Sequence, residues 1–518
     1  MRTRFVSTRW FAVVSLVVPM LVCSCGGPEE EPTLLDVMPE GYDVYVVADL
    51  SGMDAGALMQ RVRSMNLVPE SDLESFEDYV GFDPLDWEGW LDFFSLDGAG
   101  ELGLVLEMGH SEEPEVIALY LPTQALREVE ENMEQLLPGE LGLEVFQSGG
   151  HVVLAMGERD DDVEDFRDDV ESASRPLSEE PGYARFRGLA GMAGADLMIY
   201  GMPPASEGVS AFLLSAGCDG PAISYRMAAD VTDPDFAEVA PFLESPGSGG
   251  RLLVPGGTIA VARLCVDMEP IAASVGSELP PEALMGLAMM GFESLEDFVG
   301  LFRGDVCVSL TGMRDGVPSG CLAIGLNDEA AAEQLLETLS GLASGAGAVE
   351  LERFEFGGRF ALAVDADGLQ IQAGLHDGAL YLTVGGTLED LESDGTDLPS
   401  LARDFGLDAV DDGSAFILVG SGERLAGLTQ DLEGADVILG RIGAFEASLG
   451  VSEGTLTHEA TIVFSGDEDA WMSVFDILED VMLARMTGPW QEPVVDSDQD
   501  PSVDTGQKPE DETAAEKV

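Results

Sequence analysis

The chain has 518 residues, of which 45% are hydrophobic, and its 98 Asp and Glu against 24 Lys and Arg give a formal net charge of −74. This apolar content can bury the cores of two or three domains, which excludes a disordered protein. The charge excludes a nucleic-acid partner, because binding to phosphates depends on clustered Lys and Arg. Codon bias and adaptation to salt both account for the acidity, and carboxylate oxygens also make calcium or other cations candidate partners at the acidic surface.

The first residues predict a signal for export. Arg2, Arg4 and Arg9 give a positive start, and residues 10–22 form an uncharged, mostly apolar run. A bilayer-spanning helix needs about 20 residues, so this shorter run fits the apolar core of a secretory signal and not a permanent anchor. We therefore expect residues 1–24 to be a lipoprotein signal peptide that is removed on export.

The end of this signal resembles a bacterial lipobox. Val22 and Ser24 occupy the aliphatic and small positions before Cys25, whose thiol would take the lipid. Cys23 is the weaker alternative, because Val22 would then directly precede the lipidated residue. Lipidation at Cys25 makes a membrane the first predicted partner. By resemblance to lipoproteins of diderm bacteria, Gly26 favours the outer membrane, so the predicted location is the cell envelope, facing the periplasm or the exterior.

The rest of the chain divides by composition and by repetition. Residues 25–37 predict an acidic linker, and residues 488–518 predict a disordered acidic tail because they have few apolar side chains to bury. Between them, residues 38–250 and 251–487 carry short motifs in the same order. Gly81-Phe-Asp-Pro corresponds to Gly291-Phe-Glu-Ser, and Gly100-Glu-Leu-Gly corresponds to Gly304-Asp-Val-Cys. The kept order predicts a tandem duplication.

Each of the two segments has the pattern of an α+β module. β-rich runs at 44–48 and 259–261 predict strands, and apolar residues at spacings of three and four predict helices that begin near Thr123 and Asn327. Asp-Gly pairs predict tight hairpins, as at Asp377-Gly378. Hairpins imply antiparallel pairing. The predicted fold class is α+β, with two tandem homologous modules, each an antiparallel sheet with helices packed on one face.

These motifs resemble those of a family of bacterial envelope lipoproteins with a duplicated domain of unknown function. Pro39 precedes a strand, Gly81 to Pro84 lead into a helix, and Gly100-Glu101 turn into a hairpin, as in that family. The second copy departs from the pattern at Glu293-Ser294, so the Asp-Pro step is not needed in both modules. The resemblance implies an envelope location and carries no activity.

No pattern of catalytic or metal-binding residues emerges from the sequence. None of the four histidines is part of a zinc motif, and two of them, His151 and His376, lie beside glycines in predicted hairpins. Residues 98–103 match G-x-G-x-x-G, but a strand is predicted after the motif and not before it, which is the wrong order for a dinucleotide site. We therefore predict no catalytic residues, no metal site and no cofactor.

Four cysteines follow the lipidation site, namely Cys218, Cys265, Cys307 and Cys321. An oxidising compartment allows disulfides. Cys307 and Cys321 are each seven residues from Arg314, so a turn centred there would place them opposite each other in one hairpin. We expect a cross-strand disulfide between them, with two buried free thiols as the alternative.

Three functions are open at this point. The first is a non-enzymatic binding or scaffolding protein, tethered to a membrane, whose protein partner the sequence does not identify. The second is a carrier of an apolar or lipid ligand in the periplasm, for which a large Leu-lined cavity would be the mark. The third is a hydrolase of envelope polymers with paired carboxylates about 5 to 9 Å apart in a cleft.

Overall fold

The fold is taken from a computed structural model. It describes residues 33–49, 56, 59–60, 63, 73, 77, 81–83, 85–96, 100–108, 114–136, 142–157, 159–172, 175–190, 195–202, 208–243, 251–275, 280–314, 316–346, 351–366, 368–407, 414–429, 435–452, 454–466, 470, 472–474 and 476–477. The predicted signal peptide, Cys25 and the predicted tail at 488–518 lie outside the described residues.

The N-terminal half contains eight strands of the main sheet. In chain order these are β1 (Val44–Asp49), β2 (Glu101–Met108), β3 (Pro114–Leu121), β4 (Gly142–Ser148), β5 (His151–Gly157), β6 (Leu197–Gly201), β7 (Val209–Asp219) and β8 (Ala222–Val231). Its helices are α1 (Trp87–Phe94), α2 (Leu126–Leu136), α3 (Asp160–Glu171), α4 (Pro181–Ala190) and α5 (Pro234–Leu243). The strands lie side by side in the order β4-β5-β3-β2-β1-β6-β7-β8.

The C-terminal half contains ten strands of the main sheet and a small separate pair. The strands are β9 (Leu253–Val254), β10 (Ala260–Cys265), β11 (Phe302–Arg314), β12 (Val317–Leu326), β13 (Glu352–Phe356), β14 (Arg359–Ala366), β15 (Leu369–His376), β16 (Ala379–Val384), β17 (Thr396–Asp397), β18 (Phe416–Gly420), β19 (Ile442–Ser452) and β20 (Thr455–Phe464). The helices are α6 (Met268–Val275), α7 (Pro281–Met289), α8 (Leu295–Val299), α9 (Glu329–Ala346), α10 (Leu388–Asp394), α11 (Leu398–Asp404), α12 (Gly422–Ala426) and α13 (Ala435–Arg441).

The strand order of this half is β13-β14-β15-β16-β12-β11-β10-β18-β19-β20, and β9 pairs with β17. The last strands of the two halves, β8 and β20, pair antiparallel from Thr455↔Asp230 to Val463↔Ala222. The two sheets thereby join edge to edge into one sheet of 18 strands. The predicted α+β class with antiparallel sheet is confirmed.

The prediction that helices cover one face of each sheet is wrong, because helices cover both. In the N-terminal half, Phe166 of α3 and Phe186 of α4 are buried with Tyr45 on one face, here called the inner face. On the opposite face, here called the outer face, Trp90 of α1 and Met133 of α2 form a second buried cluster with the strands.

The burial along β1 gives the physical reason for this error. Tyr45 and Val47 point to the inner core, while Val46 and Ala48 point to the outer core. A strand buried on both faces is a continuous apolar run and does not alternate with polar residues. Residues 44–48 form such a continuous apolar run, which favours a sheet that is covered on both faces.

The C-terminal half has the same two-sided arrangement. On its inner face, Leu391 of α10 and Leu401 of α11 pack with Cys307 and Tyr381. On its outer face, α9 packs on the sheet through Ala332 and Leu336.

The predicted linker is too long at its C-terminal end. Thr33–Asp36 forms a 3-10 helix, and Leu34 and Leu35 are buried in the inner core. Residues 33–37 therefore belong to the folded part of the chain and not to the predicted linker. Leu34 and Met38 also explain Gly103 of the G-x-G-x-x-G match, because a Cβ on Gly103 would overlap both side chains. Gly103 is a packing glycine in β2, which begins at Glu101 inside the motif.

The local predictions for turns and helices are confirmed where the structure describes them. The β15–β16 hairpin closes between His376 and Ala379, with Asp377 and Gly378 both at positive φ, as a type I′ turn requires. His151 and His376 both lie at hairpin ends. None of the helices in the described ranges is both long and apolar enough to cross a membrane.

Candidate functional site: an apolar cavity

The space between helix α9 and the outer face of the C-terminal sheet is incompletely filled. The start of α9 is fixed by two neighbouring polar residues. Asp328 Oδ1 accepts the N–H groups of Ala330 and Ala331 at 2.9 and 3.0 Å, which caps the helix. Asn327 Nδ2 donates to the carbonyl oxygens of Gly300 and Phe302, which ties this end to the start of β11.

The first turn of α9 is also tied to the sheet through Glu329. Its carboxylate accepts the N–H of Gly378 in the β15–β16 turn and pairs with Arg359 on β14. Helix α9 has 18 residues in all and runs over the sheet. Because its N-terminal end is fixed at two points, the position of the later turns over the strands is fixed as well.

Four strands contribute leucines and other apolar side chains to the floor below these later turns. The register places Ile324 opposite Leu380 and Leu322 opposite Leu382, and Ala373 is the other neighbour of Leu382. These side chains share the outer face because side chains of neighbouring paired residues point to the same side of a sheet. Together with α9 they enclose a cavity of 420 Å³, lined by Leu322, Ile324, Leu336, Leu339, Ser340, Leu351, Leu362, Ala373, Leu380 and Leu382.

Both the size and the lining of this cavity fit a ligand site. Ligand pockets have volumes of about 300 to 1,000 Å³ and are lined mostly by apolar side chains with a few polar groups. Leu339 lines the cavity and is nevertheless 42% exposed, so the cavity opens to solvent beside the second half of α9. Water gains no hydrogen bonds from leucine side chains, so the site favours an apolar occupant.

The lining contains a single polar side chain, that of Ser340. Ser340 is fully buried, and its Oγ accepts a hydrogen bond of 3.0 Å from Nη2 of Arg353 on β13. Arg353 is exposed and pairs in register with Leu362, another lining residue. Its guanidinium carbon lies 5.7 Å from the centroid of the Phe360 ring. The cavity is thus apolar inside and bordered by one positive charge.

The predicted disulfide is contradicted by the register of its hairpin. Cys307 lies opposite Ala323, and Cys321 lies opposite Ser309, so the two cysteines are diagonal neighbours and both are free thiols. The hairpin closes between Arg314 and Val317, so its centre lies beyond Arg314. The bulge between Leu310 and Gly312 moves the partner of Cys307 only one residue back towards Cys321, which does not bring the two cysteines into register. Diagonal neighbours are about 7 to 8 Å apart, which is too far for a disulfide.

The two thiols belong to the inner core and not to the cavity. Cys307 and Cys321 are buried beside Ala323 and Tyr381. Burial raises the pKa of each thiol to about 12, because a buried thiolate loses its hydration. At neutral pH they are protonated and poor nucleophiles.

One polar pair in this half escaped the sequence analysis. Arg303 donates two hydrogen bonds of 2.9 Å to the carboxylate of Asp305, which is 2% exposed. Gly325 on the neighbouring strand leaves room for them, since a Cβ there would overlap Asp305 Oδ1. Both groups are satisfied by each other, so this pair is structural. Among the described residues, no three His, Cys, Asp or Glu side chains cluster as a metal site would need.

Comparison with known proteins adds little to this geometry. No protein-family model matches the sequence, and no curated protein matches it. Among solved structures, crystal form III of TP0453 is similar at 11% identity and a TM-score of 0.22, covering 38% of this chain and 80% of that one. Crystal form IV of TP0453 gives 12% identity and a TM-score of 0.22, covering 40% and 84%.

Proposed function

We propose that the chain is a lipid-anchored envelope protein that carries an apolar or lipid ligand in the cavity under α9. The observation that supports this is the 420 Å³ cavity with nine apolar lining residues and one serine. The proposed address rests on the signal pattern and on Cys25. None of the lining residues has a carboxylate, so the cavity gives the hydrolase alternative no support.

A scaffolding role is the second candidate, and one surface favours it. Met285 and Met289 on α7 are 63% and 61% exposed, and Leu284 on the same helix is also exposed. Exposed methionines adapt to different partner shapes. The carrier proposal has the stronger support, because the cavity has a defined volume and a defined lining.

We also propose that the two halves are tandem homologous modules. The order β5-β3-β2-β1-β6-β7-β8 in the first half corresponds to β16-β12-β11-β10-β18-β19-β20 in the second. Each half then adds strands beyond this shared set, one in the first and three in the second. This correspondence supports the duplication that the sequence motifs predicted.

The carrier proposal is tested by filling the cavity. Ala373→Phe places an aromatic ring among the lining leucines, and Ala262→Phe places the same ring on the same face of the sheet but outside the cavity. We expect the full chain with Cys25→Ser to bind the neutral fluorophore N-phenyl-1-naphthylamine at one saturable site. Ala373→Phe should weaken this binding at least about tenfold and Ala262→Phe should not. Equal binding by all three proteins would refute the carrier proposal.

The anchor is tested separately. Metabolic labelling with a fatty-acid analogue should mark the wild-type protein and not Cys25→Ser, which we expect to be soluble in the exported fraction. Label that persists on the Cys25→Ser variant would move the anchor to Cys23.

A further inference from the structure

Ser340 is a buried hydroxyl in the wall of an otherwise apolar cavity. Its Oγ accepts a hydrogen bond of 3.0 Å from Nη2 of Arg353. Because Ser340 is itself fully buried, it does not meet a ligand directly but holds the guanidinium of Arg353 against the wall of the cavity.

Among the described residues, no carboxylate forms an ion pair with Arg353, although the chain has 98 acidic residues. Glu355 lies two residues further along the same face of β13, but within the described residues the only hydrogen bond of the Arg353 guanidinium is to Ser340. By contrast, the nearby Arg359 pairs with Glu329 and lies within 3.9 Å of Glu333. Arg353 thus keeps most of its five donors available at the border of the cavity.

We infer that Arg353, held in place by Ser340, binds the anionic head group, a carboxylate or a phosphate, of a single-chain amphiphile whose chain lies in the cavity. This inference rests on the proposed carrier function and adds the class of ligand. The planar guanidinium matches the two oxygens of such a head group. The leucines contact the hydrocarbon chain.

The net charge of −74 explains why a local cation is needed. An anionic ligand is repelled by the carboxylates of the protein, but at physiological salt this repulsion falls off within about 8 Å. Close to the cavity, the electrostatic energy of the head group depends mainly on the nearest charge, and that charge is the guanidinium of Arg353. The head group stays at the border while the chain enters, because a charge buried among the lining leucines would lose its hydration.

The test compares three ligands that share one chain, namely hexadecanoic acid, hexadecyl phosphate and hexadecanol. Each displaces N-phenyl-1-naphthylamine from the full chain with Cys25→Ser at physiological salt. We expect at least one of the two anions to bind more tightly than the alcohol. Arg353→Gln should weaken the favoured anion about tenfold and leave the alcohol unchanged, because a charge-assisted hydrogen bond is lost. Ser340→Ala should weaken it by about threefold.

Arg314→Gln is the matched control, since it removes one exposed arginine from the end of β11, outside the cavity lining. It should leave all three affinities unchanged. If anions and alcohol bind equally, or if Arg353→Gln weakens all three alike, the head-group inference is overturned while the carrier proposal stands. If none of the three displaces the fluorophore, the carrier proposal itself fails.

Discussion

On the outer face of each half, a helix packs against the sheet, but the space beside the helix is filled in the N-terminal half and not in the C-terminal half. In the N-terminal half, α2 has 11 residues, and the space beside it is filled by the rings of α1, where Trp90 packs edge-on against Phe82 at 4.8 Å and stacks on Phe94 at 5.8 Å. In the C-terminal half, α9 has 18 residues, and the cavity lies under its later turns.

The difference arises from what the C-terminal half adds to the shared set of strands. The lining residue Leu362 lies on β14 and the bordering Arg353 on β13, and both strands extend the sheet beyond β15. The additional turns of α9 reach over these strands, where the cavity lining holds leucines and no aromatic ring. The rings of this half, among them Phe292 and Phe302, pack elsewhere on the outer face. A longer helix and a wider sheet without larger side chains leave a cavity. The proposed ligand site therefore lies on the C-terminal half.

The inner faces differ as well. The N-terminal half stacks tyrosines, with the rings of Tyr183 and Tyr200 in edge contact at 5.5 Å. Burial raises the pKa of Tyr200 and of Tyr45 above the usual range. The C-terminal half instead buries Cys307 and Cys321. Both inner cores thus bury titratable side chains, tyrosines in one half and cysteines in the other, and burial favours the protonated form of each.

The largest expected effect concerns these cysteines. At pH 8, iodoacetamide should alkylate Cys307 and Cys321 in the native protein about a thousandfold more slowly than in the unfolded chain, because burial raises each pKa from 9.0 to about 12. The half-exposed Cys218 is the internal control and should react in the native state. Mass spectrometry of peptides measures both rates. A disulfide-linked peptide in the unreduced, exported protein would restore the predicted bond.

The raised pKa values of Cys307 and Cys321 also predict how the stability of the protein changes at alkaline pH. Between pH 9 and 12 the unfolded thiols release protons that the folded ones retain, so the unfolded state binds fewer protons and the free energy of unfolding falls as the pH rises. Below pH 9 the thiols make their full contribution. Urea unfolding at pH 8 and pH 10.5 should show this loss, and Cys307→Ala should reduce it.

The next effect tests the packing of the outer faces. Trp90→Ala should cost about 3 to 5 kcal/mol, because Trp90 is 2% exposed and its removal leaves a cavity among Phe82, Phe93 and Phe94. Leu382→Ala enlarges an existing cavity and should cost about 2 kcal/mol, at the low end for a leucine. Hydrogen exchange in β3 and β12 reports the two halves separately. Equal losses of stability in the two variants would mean that the outer faces of the two halves are packed equally well.

A third effect tests the buried ion pair. Gly325→Ala should cost about 2 to 3 kcal/mol, because the added methyl group overlaps Asp305 Oδ1 and breaks its hydrogen bonds to Arg303. The matched control is Gly286→Ala in α7, where nothing lies within 4 Å of the new Cβ and helix propensity should add about 0.5 to 1 kcal/mol. Thermal unfolding compares the two variants. If Gly325→Ala is as stable as the wild type, Asp305 tolerates displacement and the pair is not needed.

The sequence predicted local features better than the arrangement of layers. The apolar stripe of α2, the start of α9 near Asn327 and the Asp377-Gly378 hairpin depend on neighbours within a few residues, and all three are present. The helices on both faces of the sheet were not predicted, because antiparallel hairpins were taken to have helices on one face only. The disulfide was predicted wrongly because the turn is centred beyond Arg314, which displaces every pair of the hairpin from the assumed register.

The cavity could not be predicted from the sequence for a different reason. Its lining comes from α9, from four strands and from Leu351, and its volume is the small difference between the space these elements enclose and the side chains that fill it. The stripe of Leu336 and Leu339 predicted a helix face that packs on a sheet, and it does so. Whether such a face closes fully depends on partners more than 20 residues away in sequence, such as Leu362 and Leu380.

The smallest expected effect lies at the junction between the halves. Arg226 on β8 and Glu459 on β20 form an ion pair of 3.3 Å, and both side chains are about half exposed. An exposed pair contributes about 0.2 to 1 kcal/mol, so a double-mutant cycle with Arg226→Ala and Glu459→Ala should give a coupling in that range. Because solvent and salt screen the pair, the coupling should vanish in 1 M salt.

The reason for expecting so little is that the backbone already joins the two halves. The ladder runs from Thr455↔Asp230 to Val463↔Ala222, and Thr455 Oγ1 also donates to Asp230 Oδ1 at 2.9 Å. These hydrogen bonds do not depend on the charges of Arg226 and Glu459. A coupling above about 2 kcal/mol, beyond the range of exposed pairs, would mean that the ion pair sets the register of β8 against β20. The two halves would then be held together by side chains, and the continuous sheet would be a consequence of that pairing.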